Sequence, residues 1–358
     1  MNSTVYFAPL PDGSSHSQQL EAMGRLYDAC GAAAMFSEQD FVAIKVHVGE
    51  KGNTTHMKPH FAKFLVDRIK EKSGYPFLTE TSTLYKGERE NAVKHLMHAH
   101  QHGFGIEGVG APFIMSDGIL GNTECEVAIQ GELYEKVKIA GEIISADTLF
   151  SIAHATGHIV SGFGTSIKTL GMGLASRKGK LRQHSEMRPE VDPERCRFCR
   201  KCIQWCPEAA IEEKDGKAFI VNGRCIGCGE CLAVCRFDAV KFDWAVQSEH
   251  MQKSMAEHAL GSIKNKKDRC CFFNLLIDMT KDCDCYGVPA EKLIPDIGIL
   301  ASRDPVAIDK ATLDLTAKVH GKTLAELSYA NQDGMIQLQH GEKVGLGSLD
   351  YDLITLEG

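Results

Sequence analysis

The sequence predicts an α/β protein in which a mainly parallel sheet with flanking helices is interrupted by a small α+β insert. Three observations lead there. The first 190 or so residues alternate strand-like and helix-like patterns, eight cysteines crowd between Cys196 and Cys235, and strand and helix patterns resume after Asp243. A chain of 358 residues is long enough for two domains, since a single core rarely grows past about 250–300 residues. The expected division is one α/β domain built from residues 1–188 and 245–358, with 189–244 inserted between its parts.

Strands are expected at Thr4–Ala8, Phe41–Val48, Pro76–Thr81 and Gly110–Met115. Between them, His16–Cys30, His60–Lys72 and Glu88–Gly103 repeat apolar residues every three or four positions, as a helix with one buried face does. From Glu124 to Ile152 short alternating stretches predict a hairpin and then a return to the main sheet. Past the insert come a helix over Gln247–Lys264, a buried strand in CCFFNLLIDM, a strand over Pro295–Ala301 and a helix from Pro305 to about Val319. Asp304 suits the cap of that last helix and Pro305 its first position.

Hydrophobic residues at 43% and charged residues at 24% exclude a disordered chain, and the net charge of −7 argues against a nucleic-acid-binding surface spread over the protein. No apolar run reaches 18 residues and MNSTVYFAPLPDG lacks the pattern of an export leader, so the expectation is a cytoplasmic chain with no membrane anchor. Reduced thiols are expected there, in a reducing, oxygen-poor cell.

Cys196, Cys199, Cys202 and Cys206 are spaced C-x-x-C-x-x-C-x-x-x-C, and Cys225, Cys228, Cys231 and Cys235 repeat the spacing. A cubane cluster needs four thiolates from different directions, and in a bacterial-ferredoxin-like segment the fourth thiolate of each run reaches the other cluster. Cys196, Cys199, Cys202 and Cys235 are therefore assigned to one [4Fe–4S] cluster, and Cys225, Cys228, Cys231 and Cys206 to a second. Paired zinc sites are the alternative, but they leave the third and fourth cysteine of each run unexplained.

The stretch from Gly157 to Arg188 is rich in glycine and basic residues. Gly162, Gly164 and Thr165 precede a helix-compatible run, where backbone N–H groups can hold an anion, and Lys168, Arg177 and Lys178 add positive charge. His47 and Glu50 follow a parallel strand, where open α/β sheets place ligands, with His56 in the same loop. Cys283 and Cys285, in the polar loop DCDCYG, are candidates for a further metal or a redox pair. Cys30, Cys125, Cys270 and Cys271 are read as core thiols, and His98 and His102, in HLMHAHQH, as a solvated helix face.

The motifs KVHVGE (Lys45–Glu50), TLYKGER (Thr83–Arg89), APF with SDG (Ala111–Gly118), SIKTLGMGLASRKGK with QHS, CDC (Cys283–Cys285) and DIGILASRDPVAID (Asp296–Asp309) resemble the prokaryotic family known only as uncharacterised iron–sulfur-centre proteins. The resemblance covers nearly the whole chain and implies the inserted clusters, but no reaction. This chain has Gly164-Thr165 and Lys168-Thr169 where the family pattern has a glycine pair and an Asn after the Lys. More remotely, His158, Lys168 and His184 resemble in spacing the proton-transfer base, cofactor-linked lysine and nickel ligand of the nickel-pincer lactate racemases. That resemblance implies those roles for the three residues, although the racemases carry no ferredoxin insert.

Together these readings predict an iron–sulfur oxidoreductase, fed by the ferredoxin-like insert, acting on an anionic small molecule or cofactor near His47, His158, Lys168 and His184. The alternatives are an electron carrier docking a redox partner protein, and a racemase- or isomerase-like enzyme with structural clusters. Each leaves open an additional metal or organic cofactor.

Overall fold

The computed structural model of the chain describes residues 2–184, 189–206, 208–225, 230–237, 239–241, 248–266 and 268–357. Its centre is an eight-stranded sheet of β1 (Ser3–Pro9), β2 (Phe41–Lys45), β3 (Tyr75–Glu80), β4 (Phe113–Met115), β5 (Thr148–His154), β6 (Cys270–Leu276), β7 (Gly298–Ser302) and β8 (Tyr351–Thr355). Across the sheet they run β8-β1-β7-β6-β5-β2-β3-β4. The block β6-β5-β2-β3-β4 is parallel, β7 runs antiparallel to both its neighbours, and β8 pairs parallel with β1. The fold is α/β, and strands from before and after the cysteine segment share one sheet.

Period-two alternation explains why both faces are covered. Val42 and Ile44 of β2, Phe150 and Ile152 of β5, and Phe273 and Leu275 of β6 pack on one side, with His16–Ala29 and Pro59–Glu71. Ala43, Leu149 and Phe272 pack on the other, with Ser166–Gly171, Ser248–Ile263 and Pro305–His320. All seven residues of β5 and of β6 are buried, as strands covered on both faces must be. Each large apolar side chain buried this way contributes about 1.5–3 kcal/mol. Gly171 brings two helices together, since a Cβ there would lie 2.0 Å from the Met255 carbonyl.

Chain order places a functional site. From β2 the chain steps outward to β3 and β4, then returns to the opposite side of β2 as β5. The crevice beyond the C-terminal ends of β2 and β5 is thus a topological switch point, where open α/β sheets bind ligands.

Several elements differ from expectation for identifiable reasons. The helix expected over Glu88–Gly103 begins only at Ala92, capped by the Asn91 side chain on Lys94 N at 3.2 Å, because Glu88 and Arg89 are drawn to Glu50. His95 and His98 on that helix are buried, and His102 is half-buried, which corrects the solvated-face reading. His98 Nε2 meets the Gly49 carbonyl at 3.1 Å and His102 Nδ1 the Val48 carbonyl at 2.7 Å, so the histidine face seals the loop after β2. Cys125 lies half-buried in the Glu124–Ala128 / Lys136–Ala140 hairpin, outside the core, whereas Cys30, Cys270 and Cys271 are buried, with Cys271 Sγ 3.3 Å from Cys30 Sγ.

In the cysteine segment, Glu190–Val191 pairs with Val240–Lys241 and Ile211–Lys214 with Lys217–Ile220, both antiparallel, beside short helices at Lys201–Trp205 and Glu230–Val234. Cys196, Ile211, Ala218, Ile220, Cys231 and Val240 form its own small core. The boundaries expected at 188/189 and 244/245 abut or fall within residues outside the described set.

Candidate active site

The switch-point crevice is floored by charge. Lys45, the last residue of β2, is 1% exposed and pairs with Glu80, the last of β3, at 3.1 Å. Glu80 also accepts from Val48 N at 3.1 Å and meets His95 Nε2 at 3.0 Å. Burial opposes ionisation of Glu80, but Lys45, His47 and His95 outweigh it and hold the carboxyl well below the usual range. Burial also lowers Lys45.

Above this floor lies the loop Thr83–Glu90. Arg89 is buried, with Nε 3.4 Å from Glu50 Oε2 and Nη1 2.9 Å from His47 Nε2, and it also donates to the Tyr85 hydroxyl. Glu50 is fixed from its other side by the N–H groups of Lys51 and Glu88 at 3.1 and 3.0 Å. Gly87 permits this approach, since a Cβ there would lie 2.9 Å from Glu50 Oε2. Sequence reasoning found His47 and Glu50 but missed Lys45, Glu80, Tyr85 and Arg89. Glu80 ends a parallel strand, the signal that had picked out His47.

On the β5 side, the Cys283–Asp284–Cys285 turn is anchored by a buried ion pair. Asp284 meets His154 Nδ1 at 2.9 Å while His154 Nε2 donates to the Ile277 carbonyl at 2.8 Å. Both ring nitrogens face acceptors, so the ring carries both protons. Burial works against that charge, but Asp284 raises the His154 pKa, and His154 lowers that of Asp284 against the same penalty. The Asp284 carbonyl accepts from Glu50 N at 3.0 Å, joining the turn to the β2 loop.

Cys285 is half-buried, with Sγ 3.4 Å from His47 Nε2, and Tyr85 OH reaches its carbonyl at 3.5 Å. A hydrogen bond from Cys283, reinforced by Lys168, His47 and Arg89, holds the Cys285 thiol well below its ordinary value despite burial. Lys168 is hydrogen-bonded to Cys283, and the two sulfurs keep its ammonium charged against burial.

His158, Lys168 and His184 are brought within electrostatic reach of one another. Ser161 N and Oγ lie 3.2 and 2.8 Å from His158 Nδ1 and orient the ring. Burial, then Lys168, pushes His158 well below its usual value, and burial with Lys180 and Lys168 lowers His184 to about 4. Both imidazoles are neutral near pH 7.

The turn after Gly162 corrects an expectation. Of the backbone N–H groups that follow it, those of Ser166 and Ile167 donate at 2.9 and 2.8 Å to Asp309, so a carboxylate of the chain already fills that position. Gly162 sits at φ +77°, and Gly164 leaves room for the Lys168 side chain, which a Cβ would meet at 2.4 Å. Arg177 reaches the Leu120 carbonyl at 3.4 Å and Lys178 pairs with Glu124 at 3.6 Å, which ties both to the hairpin and its approach.

Cys196, Cys199, Cys202 and Cys235 line one recess of about 360 Å³, part of it open to solvent. The Ala218, Ala239 and Ala210 N–H groups point at the sulfurs of Cys196, Cys235 and Cys206, at 3.5, 3.3 and 3.2 Å. Four convergent thiols with amide donors to sulfur fit an iron–sulfur cluster. Of the other set, Cys206 and Cys225 pack half-buried against the small core that contains Cys231, and Cys228 lies outside the described residues. The recess touches the crevice through one loop. Lys86 donates to the Cys235 carbonyl at 3.2 Å, and Leu84 packs with Leu181 and Leu232.

Over 84 residues the chain is 30% identical to the pyruvate synthase subunit PorD of Methanothermobacter marburgensis, a match covering 24% of this chain and 96% of that protein. An uncharacterised ferredoxin of Methanocaldococcus jannaschii is 43% identical over 47 residues, 13% of this chain and 28% of that one, so the chain spans under a third of the latter relative. Among solved structures, the lactate racemase apoprotein from Thermoanaerobacterium thermosaccharolyticum aligns over 99% of this chain and 83% of its own at 9% identity, with a TM-score of 0.44. Over these stretches the chain is similar to ferredoxin-type and oxidoreductase-subunit proteins. Among the described residues, no helix is long and apolar enough to cross a membrane. The pattern of one family runs through residues 42–314, from β2 across the cysteine segment to the helix after β7, and the chain belongs to that family, described as Domain of unknown function (DUF362).

Proposed function

We propose that the chain is an oxidoreductase in which residues 189–244 hold two [4Fe–4S] clusters and serve an anionic small molecule or cofactor bound in the crevice at the ends of β2 and β5. When bound, the clusters would supply single electrons. The eight cysteines named above would hold them, with Cys228 completing the second set. A protein of this kind takes its electrons from a redox partner; the PorD relative is named as a subunit of pyruvate synthase, consistent with such an arrangement.

One observation carries the reading. The loop Thr83–Glu90 touches the Cys235 carbonyl through Lys86 and the crevice through Tyr85 and Arg89, so one short segment joins a cluster ligand to the site. The crevice residues suit an anion. Lys168 and Arg89 bring fixed positive charge, and neutral His158 and His184 stand ready to accept or relay a proton. The same grouping of His158, Lys168 and His184 is the observation favouring a racemase- or isomerase-like reading, in which an additional metal or organic cofactor occupies the crevice.

The test is anaerobic stopped-flow mixing of dithionite-reduced protein with a panel of small organic anions, following cluster absorbance. An acceptor should reoxidise the wild-type protein and react at least about tenfold more slowly with Lys168→Ala. Equal rates for the two proteins would move the exit of electrons away from the crevice.

A further inference from the structure

We propose that Cys283 and Cys285 are a reversible dithiol–disulfide pair in the wall of the crevice, with Cys285 the attacking sulfur, Cys283 the resolving one, and small-molecule disulfides as exchange partners. The proposal deepens the oxidoreductase reading by assigning chemistry to the same crevice. It needs neither the clusters nor the anion for its test.

Local geometry comes first. Tyr286 N donates to the Cys283 carbonyl at 3.0 Å, closing a turn with Cys283 and Cys285 at its first and third positions. Such a turn brings the two Cα atoms to about 5–6 Å, inside the range a disulfide spans. The turn is held from below by His154 on Asp284 and from the side by Glu50 N on the Asp284 carbonyl. The two thiols face different surroundings. Cys283 is 5% exposed and receives a hydrogen bond from Lys168, while Cys285 is half-buried at the crevice. A reachable sulfur with a buried partner is the arrangement thiol–disulfide exchange uses.

The surroundings favour a thiolate over a metal ion. Cys285 Sγ lies 3.4 Å from His47 Nε2. Arg89 lies on the same side, its Nη1 2.9 Å from that nitrogen. A cation bound between these sulfurs would meet the guanidinium and the Lys168 ammonium, whereas a thiolate is stabilised by both. Cys270 shows the contrast: packed in the core of β6, its thiol is pushed up to about 12 by burial.

The chemistry balances with a disulfide RS–SR as oxidant. The Cys285 thiolate attacks one sulfur, forming a mixed disulfide and releasing RS⁻. Cys283 then gives up its proton and its sulfur attacks Cys285 Sγ, forming the intrachain bond and releasing the second RS⁻, so that one RS⁻ leaves as RSH. Two electrons pass from the cysteine pair to RS–SR, and reduction by a dithiol reverses each step.

The full-length protein, purified anaerobically, is incubated with oxidised glutathione, alkylated and digested with trypsin. Cleavage after Lys281 and Lys292 isolates a peptide, Asp282–Lys292, that carries Cys283 and Cys285 and no other cysteine. The expected peptide is lighter by two hydrogens and escapes alkylation, and dithiothreitol reverses both changes. In the untreated protein Cys285 should alkylate about tenfold faster than Cys283. Cys283→Ser should accumulate a glutathione adduct on Cys285, and Cys285→Ser none. Full alkylation of both thiols in wild-type protein after oxidant would overturn the proposal. So would zinc protecting both thiols without loss of hydrogens, or an adduct forming on Cys283 in Cys285→Ser. Failure of the anion assay with Lys168→Ala leaves this peptide measurement untouched, so the two readings fail separately.

Discussion

Asp284→Asn removes the charge that holds His154 protonated beneath the Cys283–Cys285 turn. The pair is buried, with side chains 3% and 5% exposed, and its bond is 2.9 Å. Losing a charge-assisted hydrogen bond costs about 1.5–3 kcal/mol. A stranded buried imidazolium would raise the cost toward about 3–5 kcal/mol, but His154 can shed its proton and keep the Nε2 bond to Ile277, so the lower range is expected. Asp284 titrates below 3.8 in the folded protein, so its contribution is complete above that value and fades as pH falls through its folded pKa. His154 titrates above 6.5, so its contribution is complete below 6.5 and fades as pH rises through its folded pKa. The wild-type advantage over Asp284→Asn should therefore be largest between about pH 5 and pH 6 and shrink on going to pH 9. Chemical denaturation of both proteins, followed by far-UV circular dichroism at pH 5.5 and pH 9, measures it. A difference below about 0.5 kcal/mol at pH 5.5, or one that grows toward pH 9, would refute the ion-pair argument.

Two further substitutions test the floor and the bridge. Glu80→Gln leaves buried Lys45 without its counter-charge and should cost about 3–5 kcal/mol in the same assay; a loss under about 1 kcal/mol would show that the floor is not held by charge. Lys86→Ala takes a positive charge and a hydrogen bond from the Cys235 carbonyl, which should make the potential of the cluster held by Cys235 more negative in an EPR-monitored redox titration. An unchanged potential would mean that Lys86 does not sense that cluster.

What was legible in the sequence follows from the range of the forces involved. The cysteine runs could be read because cluster ligation imposes spacing over a few residues, and the strands β2, β3, β5 and β6 because burial on both faces selects unbroken apolar runs. The edge strand β8 was not anticipated, since Tyr351–Thr355 is largely exposed and carries no such run. His98 and His102 were misread because composition says polar, while only docking on the loop after β2 shows that their rings satisfy backbone carbonyls. The turn around Gly162 looked like an anion site because the residue that fills it, Asp309, is 143 positions from Ser166. Arg89 and Glu80 belong to the same class, single polar residues whose partners are remote in sequence. His47, Glu50, Lys168 and Cys285 were named from local pattern, and His158 and His184 through the resemblance in spacing to the racemases, but only the fold shows that the CDC turn and the Lys168 turn face the β2 loop across one crevice.

For electrons to pass between them, the cluster segment must lie close to the crevice. A gadolinium(III) chelate attached to Cys285 in a Cys125→Ser background measures this by dipolar EPR, with the clusters first oxidised and then reduced by dithionite, which leaves the label intact. Because the Thr83–Glu90 loop touches both Cys235 and Cys285, reduction should markedly speed the label's relaxation. Equal relaxation in the two states would place the clusters out of reach of the crevice and contradict the account.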